Sequence, residues 1–357
     1  MIKQKWHYSI SSRFWNDTYP TNKVRESNFE LLRIVSMYFI LLYHMLLFFI
    51  SKIDDVSLFK ALWLPLHVAV ICFVLISGYF HIKPSLKGVV KLIFPLLVFY
   101  LPLTIYELLT GLGGGRNLLF FSQSPYWFIR TYFYLFLIAP VLNSFINNIS
   151  RLYLLIVLGF ISVYMGTAHE PSLHDGKNLI LFMFLYVLGD SIRHYNEYLC
   201  SIKTIYFVSA YCILNAFICF TYYLFADTIY GKVLWLLSYP YCSPLLILNG
   251  MLLFIIFGRI NVRSRLINYM AESVFSAYVI HHQHFVLFLI IGPIVFKIYN
   301  AFQSPIMMLL VLSVFTFMIL IACIGVDKLF SPFWHYLEKK SQNENLRINR
   351  FFKIVND

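Results

Sequence analysis

Long apolar stretches alternate with short polar breaks along this chain. Ten apolar segments run at about 29–50, 58–80, 88–110, 126–146, 152–168, 178–194, 202–226, 233–257, 268–296 and 304–328. A helix rising ~1.5 Å per residue needs about 20 apolar residues to cross ~30 Å of hydrocarbon. The pattern therefore predicts an all-α fold, a polytopic transmembrane helical bundle of about ten spans. The breaks carry loop-forming residues, as in Gly111 to Arg116 and His169 to Gly176. Tyr239 and Tyr241 flank Pro240 within the eighth segment, where a kink is expected. A polar head, residues 1–28, precedes a membrane domain of 29–335, and a basic tail, 336–357, follows. The head has no short apolar core ending in small residues, so no cleavable signal is expected.

Charge tests the span count. If the amino terminus is cytoplasmic and ten spans alternate, 20 of the 28 Lys and Arg residues fall inside and 6 outside. Arg33 and Arg130 stay within spans. That asymmetry follows the positive-inside rule and puts both termini in the cytoplasm.

Composition agrees. The 357 residues are 60% hydrophobic and 12% charged, against about 25% charged in a soluble domain. The net charge of +12 does not point to nucleic acid, because the basic residues are spread over short loops rather than gathered in a soluble domain. The six cysteines are scattered, with no CxxC or zinc-ribbon spacing, and read as small hydrophobes.

Candidate chemistry begins in the first segment. Arg33 and His44 are eleven positions apart. At ~100° per residue this is three turns plus about 20°, so both lie on one helix face, roughly 16 Å apart along the axis. Ionisable groups inside a membrane are costly and point to function by default. Arg33 is near the span edge, where it snorkels, pairs with Glu30 or holds an anion. His44 is too deep to snorkel. It is either a ring bonded to a backbone carbonyl or a chemical group.

Further along, Ser77-Gly78 permits close helix approach. Lys83, Lys87 and Lys91, spaced by four, form either a membrane anchor or a phosphate-binding rim. Tyr126, Trp127 and Arg130 open the fourth segment, as interface anchors or as a platform for a polar acceptor. His281, His282 and His284 suggest metal. Only 281 and 284 share a helix face, however, and the nearest carboxylate, Glu272, is nine positions from His281. Packing or substrate contact is the competing reading.

In this order the pieces resemble the acyltransferase-3 family of bacterial integral-membrane acyltransferases. Arg33 and His44 match its Arg-x10-His. Phe73, Val74, Ser77, Gly78 and Tyr79 match its span-two motif, and Lys87 to Pro95 its basic stretch ending in proline. Trp127-Phe128 and Pro140 to Asn143 match the ends of span four, and Phe275 to His281 the span-nine motif. Two positions depart from the pattern: Ser276 stands for a glycine and Val74 for an aromatic. The likeness runs from about residue 25 to 335.

The resemblance implies an O-acetyltransferase of the bacterial inner membrane. It moves an acyl group, usually acetyl, from cytoplasmic acetyl-CoA or another acyl-CoA to a hydroxyl of a surface carbohydrate or its lipid-linked precursor. It implies His44 and Arg33 as catalytic, and Arg33, Lys87 and Lys91 as holding the donor's phosphates. Tyr79, Trp127, Arg130 and His281 are then expected to bind substrate. The expected partners are the acyl-CoA, the glycan acceptor and the lipid bilayer, with no metal, no resident cofactor and no nucleic acid. The rival reading is a transporter or flippase for a lipid-linked saccharide, which calls for internal repeats that the sequence lacks.

Overall fold

A computed structural model describes residues 26–50, 64–111 apart from Pro84, 126–167, 176–225, 228–302 and 304–333, with Tyr336 and Lys339. Most of the expected polar head, most of the tail and the side chain of Lys87 lie outside the described residues. Among those described there is no strand, and each of the ten apolar segments is helical.

Helix α1 is Ser27–Ile50 and α2 is Val68–Phe80, entered through a 3-10 turn, Leu64–His67. Helices α3 (Leu86–Pro95) and α4 (Leu101–Thr110) are joined by a π-helical turn, Leu96–Tyr100. Then come α5 (Trp127–Asn148), α6 (Arg151–Thr167), α7 (Leu179–His194), α8 (Asn196–Ser201) and α9 (Thr204–Phe225). Helices α10 (Ile229–Ser238), α11 (Pro244–Gly258), α12 (Arg265–Ala271) and α13 (Val274–His282) follow. A second π-helical stretch, Phe285–Ile291, leads to α14 (Gly292–Ala301), and α15 (Pro305–Leu329) closes the described bundle.

Five of these helical runs are long and apolar enough to cross a membrane: Ser27–Phe48, Gly88–Thr110, Trp127–Asn148, Thr204–Phe225 and Pro305–Leu329. A sixth crossing results if Val274–His282 and Phe285–Ala301, bent by 68°, form one span.

Helix α2 is the centre of the bundle. It is apolar all round, and ten of its 13 residues are buried, as expected of a helix with no solvent face. It packs most extensively on α7, where the two backbones touch. A methyl group at Gly78 would overlap the Tyr186 carbonyl, and one at Gly189 would overlap the Leu75 carbonyl. Lipid gives helices no hydrophobic drive to associate, so small residues that allow such contact govern their packing.

Where α2 ends, a polar network takes over. Asp190 is fully buried and accepts from Arg151 Nε at 2.7 Å and Arg193 Nη2 at 3.1 Å, with His81 Nε2 at 2.8 Å. His81 takes a positive φ of 55°, a strained choice for a residue with a Cβ. Beyond it, Ile82 N–H donates to the Tyr186 hydroxyl, which donates to Asn143 Oδ1, while Asn143 Nδ2 donates to the Ile82 carbonyl. These bonds fix the chain on its way to α3.

Two expected spans are interrupted. The kink at Pro240 is instead a break: α10 stops at Ser238 and α11 starts anew at Pro244. A turn bridges them, with Ser243 N–H donating to the Pro240 carbonyl at 2.8 Å. Proline suits a helix start, where its missing N–H has no partner to lose. The second break is at Gln283, whose backbone is extended between α13 and the π-helical stretch. Irregular backbone at membrane depth is tolerated where it is buried in protein or lines a cavity, and these breaks approach one site.

Candidate active site

His44 sits six residues before the end of α1. His281 is near the end of α13. Their rings meet, with His44 Nδ1 2.9 Å from His281 Nε2. His281 Nδ1 is in turn 2.8 Å from the Ala277 carbonyl oxygen, one turn back on its own helix. A carbonyl only accepts, so His281 carries its proton on Nδ1. In the neutral ring Nε2 is then a bare acceptor, and the donor between the rings is His44 Nδ1–H. A neutral His44 is left with a lone pair on Nε2. The tautomer of the outer ring is thus set by the bond the inner ring makes to main chain.

His44 lines a cavity of about 30 Å³, together with residues from four other parts of the fold. Helix α1 adds Ile40 and Tyr43, the entry to α2 adds Leu66, His67, Ala69 and Val70, and the start of α5 adds Trp127 and Phe128. Tyr241 comes from the break between α10 and α11, and Tyr278 from α13. No lining residue carries a full charge. The Trp127 ring lies 5.1 Å from Tyr241 and 6.0 Å from Phe182, at the wall rather than on the lipid side.

The expected site residues part company here. His44 and Trp127 share the cavity. His281 is completely buried behind His44, with both ring nitrogens engaged. Tyr79 is away from this cavity. It is buried with ring centroids 5.2 Å from Phe29, 5.0 Å from Phe80 and 5.5 Å from Phe254, in the aromatic core. Arg130 is half-buried one turn beyond Trp127 and is not on the cavity wall.

Arg33 donates from Nη1 to Glu30 Oε1 at 2.8 Å and keeps a 35% exposed side chain. It lies at the far end of α1 from the cavity. Lys91 is exposed on α3. Of the three histidines near the end of α13, two pack on His44, His281 through its ring nitrogen and His282 edge-on with ring centroids 4.6 Å apart; His282 also stacks on Tyr278, and His284 Nδ1 lies 2.9 Å from Glu107 Oε1. Among the described residues no three His, Cys, Asp or Glu side chains gather as metal ligands.

Sequence reasoning missed His67. Its ring is buried against Tyr43 at 4.4 Å, Tyr239 at 4.6 Å and Tyr241 at 5.3 Å. The available signal was a histidine well inside the second apolar segment, 58–80, an ionisable group at membrane depth.

The site sets a paired imidazole with an open nitrogen on a partly open cavity inside a bundle of apolar helices, and such a nitrogen can accept a proton. A family model for an acyltransferase domain, acyltransferase-3, matches residues 26–326, nearly the whole chain. The chain belongs to that family and is an acyltransferase of the membrane. No curated protein and no solved structure matches it.

Proposed function

We propose that this acyltransferase moves an acetyl group from acetyl-CoA, bound at the cytoplasmic face, to a hydroxyl of a cell-surface carbohydrate or its lipid-linked precursor. The observation that carries the reading is the bare Nε2 of His44 at the cavity. In the reaction the acceptor oxygen adds to the thioester carbon while its proton passes to His44 Nε2. The tetrahedral species collapses, the C–S bond breaks, and the leaving sulfur takes that proton from His44. Atoms and charge balance, and His44 ends as it began.

The charge asymmetry of the loops supports a cytoplasmic start for α1, and with it a position for Arg33 on the donor's side. Coenzyme A is a polyanion. Arg33 and Lys91, with Lys87 beside them in sequence, are suited to its phosphates, and the Arg33 guanidinium suits bidentate contact. The small cavity without charged walls favours a two-carbon acyl group over one ending in a carboxylate. Trp127, on the same wall, offers an aromatic face to a sugar ring.

The test uses membranes containing the full chain, radiolabelled acetyl-CoA, and surface glycan stripped of esters by mild alkali. Label is expected to reach the glycan with the parent chain, and to fall to background with His44→Ala while the protein still inserts. Full transfer by His44→Ala would remove His44 from the chemistry. An absence of any acyl-CoA consumption would sink the assignment of donor.

A further inference from the structure

The polar group at the end of α2 holds more charge than its packing needs. Asp190 is fully buried and already has two partners, Arg193 Nη2 at 3.1 Å and His81 Nε2 at 2.8 Å. Arg151, the first residue of α6, adds a third through Nε alone, at 2.7 Å. One carboxylate thus faces two guanidiniums, an excess of positive charge before His81 is counted. Asp190 is the only ion-pair partner of Arg151 among the described residues, and Arg151 Nη1 and Nη2 bond to none of them. Both terminal nitrogens are accessible, and 25% of the side chain is exposed.

This is a receptor held from behind. A guanidinium is a planar fork, so the bond at Nε fixes its plane while the edge formed by the two terminal nitrogens stays open. That edge presents parallel N–H groups, the arrangement that accepts a phosphate bidentately. The simplest account is a rivet between α6 and α7, or an arginine that snorkels to water. A neutral donor at position 151 would make the rivet without setting a second full charge beside Arg193. Snorkelling needs no buried carboxylate to hold the side chain.

The surroundings point to the anion. Just past Arg151, Leu152, Tyr153 and Ile156 are exposed on α6, so this rim of the bundle faces lipid. Cations at the ends of spanning helices meet the phosphate layer of the bilayer, and basic pockets between helices hold lipid headgroups. The same end of the bundle carries Arg33, because Phe29, one turn before it, packs on Phe80 with ring centroids 5.2 Å apart. The phosphates of an acyl-CoA are therefore a second source of the same chemistry.

We propose that the open edge of Arg151 binds a phosphate group at the rim of the bundle, with Asp190 holding the guanidinium in place and Arg193 adding charge. The group belongs to the headgroup of an anionic phospholipid or to the acyl-CoA donor. The lipid source stands apart from the acyl transfer, whereas the donor source rests on the reaction proposed above.

The experiment measures binding by the full chain purified in detergent. One arm titrates phosphatidylglycerol, with zwitterionic phosphatidylcholine as control, and counts bound lipid by native mass spectrometry. The other titrates coenzyme A by calorimetry. Losing a bidentate charged contact weakens binding about 10- to 100-fold. That loss is expected for Arg151→Gln in one arm, with phosphatidylcholine unaffected, and the arm that responds names the source. Arg151→Lys keeps the charge without the fork and is expected to fall between the parent and Arg151→Gln. Parental affinity of Arg151→Gln in both arms would overturn the proposal, as would a parent that binds neither ligand. An equal loss in Arg263→Gln, an exposed cation of the α11–α12 loop, would overturn it too, since net charge alone would then explain the binding. If Arg151→Gln does not fold, Arg151→Lys decides: weakened binding in one arm supports the fork and parental binding in both refutes it. Neither arm reads label transfer, so a failure of the assigned reaction leaves the lipid outcome unchanged.

Discussion

In the proposed reaction His281 acts through another residue, His44. It is fully buried and offers His44 an acceptor at 2.9 Å. Its removal is expected to leave His44 free to rotate and to exchange tautomers. Misplacing a reacting group by about 1 Å can cost ~100-fold in rate. His281→Ala is therefore expected to lose about that much kcat with little change in the KM for the donor. His281→Gln, whose side-chain oxygen can accept from His44, should keep more. Initial rates of label transfer check both. The spacing of Arg33 and His44 was legible in the sequence because both lie on one helix. The His44–His281 bond was not, because 237 positions separate the rings and only the packing of α13 against α1 joins them. The same holds for His67, whose tyrosine neighbours come from elements far apart in sequence.

At the scale of elements, the crossing of α2 and α7 decides whether the bundle forms. Overpacking such a contact costs typically 1–3 kcal/mol, occasionally more. Here the obstructing atoms are backbone, which cannot swing aside. Gly78→Ala and Gly189→Ala are each expected to lower the unfolding temperature in detergent sharply. A methyl group at Gly325 would meet nothing within 4 Å, so Gly325→Ala is expected to be neutral or to stabilise by about 0.5–1 kcal/mol, the ordinary helix preference. The same measurement applies to Asp190. Replacing it with Asn leaves Arg151 and Arg193 without their shared carboxylate, and breaking a buried pair costs about 3–5 kcal/mol. Helix identity was legible because each apolar segment is longer than any strand. The breaks at 239–243 and at Gln283 were harder to read. Pro240 signals a disturbance but not its size, and Gln283 signals nothing until its extended backbone is seen.

For the whole molecule, the distribution of charge makes the clearest statement. If α1 starts in the cytoplasm and ten segments cross, Arg263 belongs inside and Lys297 outside. Single cysteines at these positions, in a chain whose own six are replaced, are expected to differ toward a membrane-impermeant thiol reagent added to intact cells. Lys297→Cys should react and Arg263→Cys should not. The reverse pattern would invert the bundle and put the donor site on the wrong side. An odd number of crossings between them is what the test reads, which hydropathy alone cannot supply. Segments five and six are short, and the eighth is split into two helices of 10 and 15 residues.

The proton position on His44 is finally specified by the carbonyl of Ala277, an atom that every amino acid supplies. Selection on side chains cannot erase it, and position 277 is free to vary within the limits of packing without disturbing the base. What the arrangement cannot survive is a change of phase. One residue inserted between Ala277 and His281 would leave every side chain of the site present in the chain, and the inner ring would still find a carbonyl four positions back, yet it would turn about 100° away from His44. The instruction for which nitrogen stays bare is therefore held in the periodicity of α13, a form of information that substitutions barely touch and insertions destroy.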